Sequence, residues 1–186
     1  GLEMAQAHRR LGAEVTVVEA GRCLSRDDPE AAALVTARLR AEGVTILEGQ
    51  AVARISAEGG VTLHLADGNA VSGSHLLVAA GRAPALDRLD LPAAGVAFTA
   101  QGVTVGDDLT STTNRRVMAV GDAAGRGQFT HLAAHHAGLV IRRAVLGLPA
   151  SLRADHIPRV TFTDPELAQT GPTEAEARKT YGTALT

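Results

Sequence analysis

The chain has 186 residues, 45% of them hydrophobic and only 2% aromatic, with a formal net charge of −2. That is ample for a packed core, and it gives no electrostatic or stacking reason to expect nucleic acid or an anionic membrane as partner. No apolar run reaches the ~20 residues that span a bilayer, no signal-peptide pattern opens the chain, and the single Cys23 excludes an internal disulfide framework, which fits a reducing cytoplasm.

Gly1 leads directly into the periodic run LEMAQAHRRLG, whose apolar positions Leu2, Met4, Ala5, Ala7 and Leu11 predict a helix stopped by Gly12. Val15 to Val18 predicts a short strand that ends at Glu19. Asp27, Asp28 and Pro29 form a helix start, where acidic residues suit the macrodipole and proline has its φ preset. That helix is expected to run to about Glu42 and to end at Gly43, with Val44 to Leu47 as the next strand. Helix, strand, helix and strand with tight glycine junctions is the order that a parallel sheet with crossover helices requires.

The texture then changes. AVARISA, VTLHLAD and NAVSG predict three short strands, the last two joined by the hairpin signal Asp67-Gly68, so an antiparallel meander is inserted into the parallel unit. His75 to Ala80 predicts a buried strand that delivers Gly81-Arg82 and then Pro84. Residues 85 to 116 are loop-rich, with Val103 to Val105 extended. Val117 to Val120 predicts another buried strand, and Thr130 to Leu146 a helix closed by Gly147. Beyond Pro149 come an extended VTFT and a helix start at Thr173-Glu-Ala-Glu. Gly1 has no initiator methionine or capping residue before it, and EARKTYGTALT stops just after a helical pattern. The chain therefore reads as an interior segment of a longer protein.

Two places carry chemistry. Glu19 stands at a predicted strand tip 18 residues after Gly1. An acid about 20 residues beyond the glycine turn of a dinucleotide-binding unit accepts hydrogen bonds from ribose hydroxyls, and it repels a 2′-phosphate. This favours NAD(H) over NADP(H), although only the last glycine of the fingerprint is present and an ordinary strand-end glutamate reads the same way. The second place is VMAVGDAAGRGQFTHLAAHHAG, residues 117 to 138. A strand that delivers Gly121 and Asp122 at its carboxyl end puts a carboxylate where open sheets bind ligands. Gly125 and Gly127 permit a close turn, and the helix from Thr130 aims free N–H groups at whatever lies in front. The competing reading makes Asp122 a plain capping residue. His131 and His135 share a helix face and His136 points away from it. With no acidic or thiol third ligand nearby, a structural or solvent-facing role outweighs a metal site. Cys23, without a partner thiol, is no redox centre.

Taken together, GLEMA, LLVAAGRAP, VMAVGDAA and PRVTFTDPELAQTGPTEAEA, in that order, resemble the flavin-dependent pyridine nucleotide-disulfide oxidoreductases, among them the mercuric reductases and dihydrolipoyl dehydrogenases. RDDPE, GQFTHLAA and FTDPELAQTG lean toward the mercuric reductases. The resemblance implies an α/β fold in three parts. Residues 1–84 would form a Rossmann-like NAD-binding domain, lacking its first strand and carrying the inserted meander. Residues 85–154 would be the carboxyl-terminal part of an FAD-binding domain, and residues 155–186 the start of an α+β dimerisation domain.

The resemblance also implies site residues. Gly1, Glu3, Glu19, Val52 and Gly81 would line the nicotinamide nucleotide, with Glu3 near the stacked nicotinamide and flavin rings. Asp122, next to Gly121, would hold the ribitol and phosphate region of FAD. Gln128, Phe129, Thr130 and His131 would form the turn facing the isoalloxazine, and Arg82 would support its flavin side. The first flavin fingerprint, the paired redox cysteines and the carboxyl-terminal catalytic residue of the family are absent from this sequence. No catalytic residue is therefore expected here, and the 186 residues alone are not expected to turn over a disulfide or Hg(II). The parent enzyme would pass hydride from NAD(P)H to FAD and on to a disulfide, dithiol or Hg(II) acceptor as a cytoplasmic homodimer. The alternatives are a dihydrolipoyl dehydrogenase segment and a non-catalytic nucleotide-binding or redox-sensing module.

Overall fold

The computed structural model describes residues 1–153 and 157–182. In chain order the elements are α1 (Leu2–Arg10), β1 (Thr16–Glu19), α2 (Pro29–Ala41), β2 (Thr45–Glu48), β3 (Val52–Ser56), β4 (Val61–Leu65), β5 (Ala70–Gly73), β6 (Phe98–Thr99), β7 (Gly102–Val103), α3 (Thr130–Ala144), β8 (Arg159–Thr161), β9 (Leu167–Gln169) and α4 (Glu174–Tyr181). They form two compact units. One joins Gly1–Ala80 with Pro158–Thr186, and the other is Gly81–Ile157. The boundary expected at 154/155 lies outside the described residues. The segment after it belongs, over its described part, to the same unit as the first 80 residues.

In the first unit β1 and β2 pair in parallel, with Thr16 opposite Thr45 and Glu19 opposite Glu48, and α2 makes the crossover. Leu2, Ala5, Val35, Leu39, Val44 and Ile46 form the core, and Val15, Val17 and Leu167 pack against it. Leu39 is fully buried; removing one such side chain from water contributes about 1.5–3 kcal/mol. Both helices close at the expected glycines. The Gly12 and Ala13 amides return to the Arg9 and His8 carbonyls, and those of Gly43 and Val44 to Arg40 and Leu39, so each end satisfies two carbonyls that the helix leaves open. Pro29 begins α2 as expected. The Asp28 carboxylate does not cap its own helix, however; it accepts from the Glu174 amide in the first turn of α4, at 2.9 Å. There Thr173 and Glu176 form a capping box.

The meander β3-β4-β5 is antiparallel throughout, with an irregularity between Val52 and Arg54. The buried strand expected over His75–Ala80 does not form. Leu77 and Val78 are 52% and 72% exposed, and residues 75–80 join no sheet among the described residues. An apolar run signals burial only where a neighbouring strand can take its amides and carbonyls, and none lies alongside this one.

Side chains of α1 hold the carboxyl-terminal segment. Glu3 Oε1 accepts from the Phe162 amide at 2.8 Å. The buried Gln6 amide both donates to the Asp164 carbonyl and accepts from the Asp164 N–H, each at 2.8 Å. Arg10 bridges Asp164 at 2.6 Å and Glu42 at 2.7 Å. Glu42, bonded first by Arg10 and then by Arg38, has its carboxyl drawn down from an ordinary 4.5 to about 2. Its contribution to stability is complete above pH 4.5 and is lost as the pH falls toward 2. Glu42→Gln is expected to flatten the stability profile across that interval. Urea melts as a function of pH check this, and a variant that keeps the wild-type acid slope contradicts it.

The second unit has a core of Leu86, Leu91, Val96, Val103, Val105, Leu109, Ala119, Ala124, Leu132 and Leu152. Val117 to Val120, expected as a strand, instead makes a single bridge from Met118 to Thr110, flanked by bonds from Ser111 to Val117 and from Ala119 to Leu109. The β6–β7 hairpin packs closely on the 3-10 turn Gly121–Ala124 and its closing glycine. A Cβ on Gly102 would lie 2.5 Å from the Gly125 nitrogen and 2.8 Å from the Ala123 oxygen. No helix among the described residues is long and apolar enough to cross a membrane.

Candidate functional site

The first unit presents its candidates at the end of the sheet where β1 stops. Glu19 is its last residue, half-buried, and Oε1 accepts from the Gly21 amide at 2.8 Å. That bond curls the chain back on the carboxylate, leaving Oε2 without a partner among the described residues. Beside it Glu48 accepts from the Cys23 amide at 2.7 Å and from Arg40 at 2.9 Å, and these two donors hold its carboxyl below the ordinary range. Glu48 was not anticipated; only the parallel register reveals that two strand-end carboxylates stand side by side, one neutralised and one open. Cys23 is buried, and burial first, then the neighbouring Glu48 and Glu19, push its thiol up to about 11. A thiol so far from ionisation is a poor nucleophile, in keeping with a structural role.

Gly1 caps α1 with no side chain of its own, and a Cβ there would stand 3.9 Å from that of Ala79. Helix α1 leads through a short turn into β1, so its first turn returns to the sheet end where Glu19 lies. Glu3 has one oxygen committed to Phe162. Val52 is exposed at the start of β3.

The second unit holds the remaining candidates. Gly81 and Arg82 are exposed, and the Arg82 carbonyl accepts from Gln128 Nε2 at 3.1 Å, which ties the Gly-Arg segment to the turn before α3. Gly121 and Asp122 open the 3-10 turn and do not end a strand, a difference that follows from the shortened pairing of Val117 to Val120. The Asp122 carboxylate caps neither that turn nor α3, which removes the capping alternative, and it has no partner among the described residues. Gly125 closes the turn at φ +65°. Phe129 then precedes α3 in extended conformation and supplies no side-chain cap, so the first amides of α3 have no intrahelical acceptor. The Phe129 and His131 rings stack with centroids 5.2 Å apart.

Among the described residues no group of three His, Cys, Asp or Glu side chains could hold a metal ion. His135 is exposed and His136 fully buried, as two successive positions about 100° apart round a helix can be. Sequence reasoning missed that His136 Nδ1 accepts from the Gly121 amide at 3.1 Å. The doubled histidine was a signal only that one ring must turn inward.

Comparison with known proteins identifies the family. Residues 1–137 match the family profile described as pyridine nucleotide-disulphide oxidoreductase. The mercuric reductase of Acidithiobacillus ferrooxidans is 40% identical over 179 residues, covering 96% of this chain and 32% of that protein. The dihydrolipoyl dehydrogenase of Bacillus subtilis is 33% identical over 185 residues, covering 98% of this chain and 40% of that protein. Among solved structures, the Cu(II) complex of the HOCl-induced flavoprotein disulfide reductase RclA from Escherichia coli superposes with a TM-score of 0.86 at 30% identity, over 96% of this chain and 42% of that one. The chain thus spans between about a third and two fifths of the length of these relatives. By the profile match across its first 137 residues and by these relatives, it belongs to the pyridine nucleotide-disulphide oxidoreductase family.

Proposed function

We propose that this chain supplies the nicotinamide-nucleotide and flavin surfaces of an oxidoreductase that passes reducing equivalents from NADH through FAD to a disulfide, dithiol or Hg(II) acceptor, and that the assembled protein is a homodimer. The observation that carries the reading is the open Asp122 carboxylate at the head of a glycine turn that runs into the uncapped first turn of α3. This donor and acceptor set fits a flavin nucleotide. Hydroxyl groups have an acceptor in Asp122, and an electron-rich ring edge would meet the positive end of the α3 dipole at Thr130.

Bound FAD would supply the two-electron relay between nicotinamide and acceptor. The chain's own part is positioning. Asp122 holds the ribityl side of the flavin, the α3 amides stabilise charge at its ring edge, and Gln128 keeps the turn fastened to Arg82. Gly121 and Phe129 shape the same turn. On the nicotinamide side Glu19 receives the ribose hydroxyls, Gly1 allows the backbone to approach the pyrophosphate, and Glu3 and Val52 flank the nicotinamide. Identity to mercuric reductases runs from 29% to 40%, against 33% to a dihydrolipoyl dehydrogenase, and the upper values of 37%, 38% and 40% support Hg(II) among acceptors.

Asp122→Ala is the direct test. In the flavoprotein that contains this chain, the variant is expected to retain about a tenth of the wild-type flavin after purification, the loss of a charge-assisted hydrogen bond to the nucleotide. Flavin absorbance per protein reads this directly. A full complement of flavin in the variant removes Asp122 from the site.

A further inference from the structure

A short helical turn begins with amides that need acceptors from outside, and Val120, which precedes the Gly121–Ala124 turn, has no side-chain oxygen to offer. The acceptor comes instead from 15 residues further along the chain. His136 sits inside α3, fully buried, and its Nδ1 takes the Gly121 N–H at 3.1 Å. The turn has little room to move off this contact. Gly121 stands at φ +60°, and a Cβ there would already press to 3.1 Å from that of Ala133, one helical turn before His136. The bond also fixes the tautomer: Nδ1 is bare and the ring proton is on Nε2. That Nε2 is buried and has no hydrogen-bond partner among the described residues.

We infer that His136 is a positioning residue for the flavin turn, holding Gly121 and thereby Asp122 in place only as the neutral imidazole, so that acid releases the turn. This rests on the flavin reading of Asp122 given above. A second proton would have to enter at Nδ1, where it meets the Gly121 N–H head on and abolishes the acceptor. The surroundings oppose it. The ring is stripped of water, and the groups whose charge acts on it, His135 on α3 and Arg126 in the glycine-rich loop, are both basic. Burial first, then these neighbours, lower the imidazole below its ordinary 6.5. The sign follows. Above pH 6.5 the bond is complete, and it is lost only as the pH falls through the depressed folded value.

The test uses the flavoprotein containing this chain, with flavin affinity read by quenching of flavin fluorescence between about pH 8 and about pH 5. His136→Asn keeps an acceptor where Nδ1 stood and does not titrate. It is expected to bind flavin within about threefold of wild type and to lose the acid weakening that the wild type shows. His136→Leu fills the space without an acceptor and is expected to bind about threefold to tenfold more weakly near neutral pH, the equivalent of one hydrogen bond. Should the leucine variant fail to fold, the asparagine profile and the imidazole ¹⁵N spectrum of the flavin-free protein decide. That spectrum is expected to show a bare Nδ1; a proton on Nδ1 overturns the inference. So does a leucine variant that binds flavin as the wild type does, or an asparagine variant that keeps the acid weakening. If Asp122→Ala loses flavin while both His136 variants hold it across the pH range, only the role of His136 falls. A wild type that binds no flavin overturns the flavin reading and this inference with it.

Discussion

Gly102→Ala is expected to destabilise the second unit by about 2–6 kcal/mol. Two costs add. The backbone there lies at φ +150°, and an L side chain in so sparsely populated a conformation costs about 1–3 kcal/mol. The new methyl would also fall within 3 Å of three backbone atoms, the Gly125 nitrogen and Cα and the Ala123 oxygen. Relieving an overpacked contact costs about 1–3 kcal/mol, and backbone cannot swing aside as a flexible side-chain end can. The 3-10 turn must then back away from β7, and Asp122 goes with it, so weaker flavin retention is expected alongside the lower melting temperature. Gly138→Ala is the matched control. It lies within α3 with nothing within 4 Å of the added methyl, and it should gain about 0.5–1 kcal/mol from the helix preference of alanine. Thermal melts of the two variants check the pair, and a Gly102→Ala protein that melts with the wild type refutes the close-approach argument.

Glu19→Arg is expected to invert nucleotide choice, moving the NADH-to-NADPH ratio of kcat/KM by about tenfold to hundredfold toward NADPH, the range of one or two charge-assisted hydrogen bonds. The wild-type carboxylate stands at the strand tip with Oε1 held by the Gly21 amide, and Oε2 has no partner among the described residues. It offers an acceptor to hydroxyls and like charge to a phosphate. Glu19→Gln separates the two effects. It keeps an acceptor for the Gly21 amide but drops the charge, and should relax selectivity without inverting it. Stopped-flow reduction of the bound flavin by each nucleotide measures the ratio. Unchanged selectivity in both variants would take Glu19 out of the ribose site.

Local chemistry made much of this architecture legible beforehand. Pro29, Gly12 and Gly43 punctuate helices because their backbone preferences act within one turn of chain. Asp67-Gly68 marks its hairpin for the same reason. Strands were less secure wherever the partner had to be assumed. Leu76 to Val78 reads as a core strand by composition and lies in the open because nothing pairs with it. Val117 to Val120 shrinks to one bridge. The candidate site was legible as residue types and spacing: Glu19 at a strand tip, Asp122 before a glycine turn and a helix. Its supports were not. Glu48 beside Glu19, the Asp28 carboxylate on α4, the Gly102–Gly125 approach and the His136–Gly121 bond all join residues far apart in sequence through contacts that no periodicity encodes.

Glu3, Gln6 and Arg10 fall on one face of α1, and each is fastened to residues 162–164. Gln6, by both giving and taking a hydrogen bond on the backbone of Asp164, stands where a neighbouring strand would stand. Turning α1 by even one residue, about 100°, would undo all three attachments at once. Helix and segment are therefore mechanically a single piece, and a ligand that displaces the first turn of α1 carries residues 162–164 along with it.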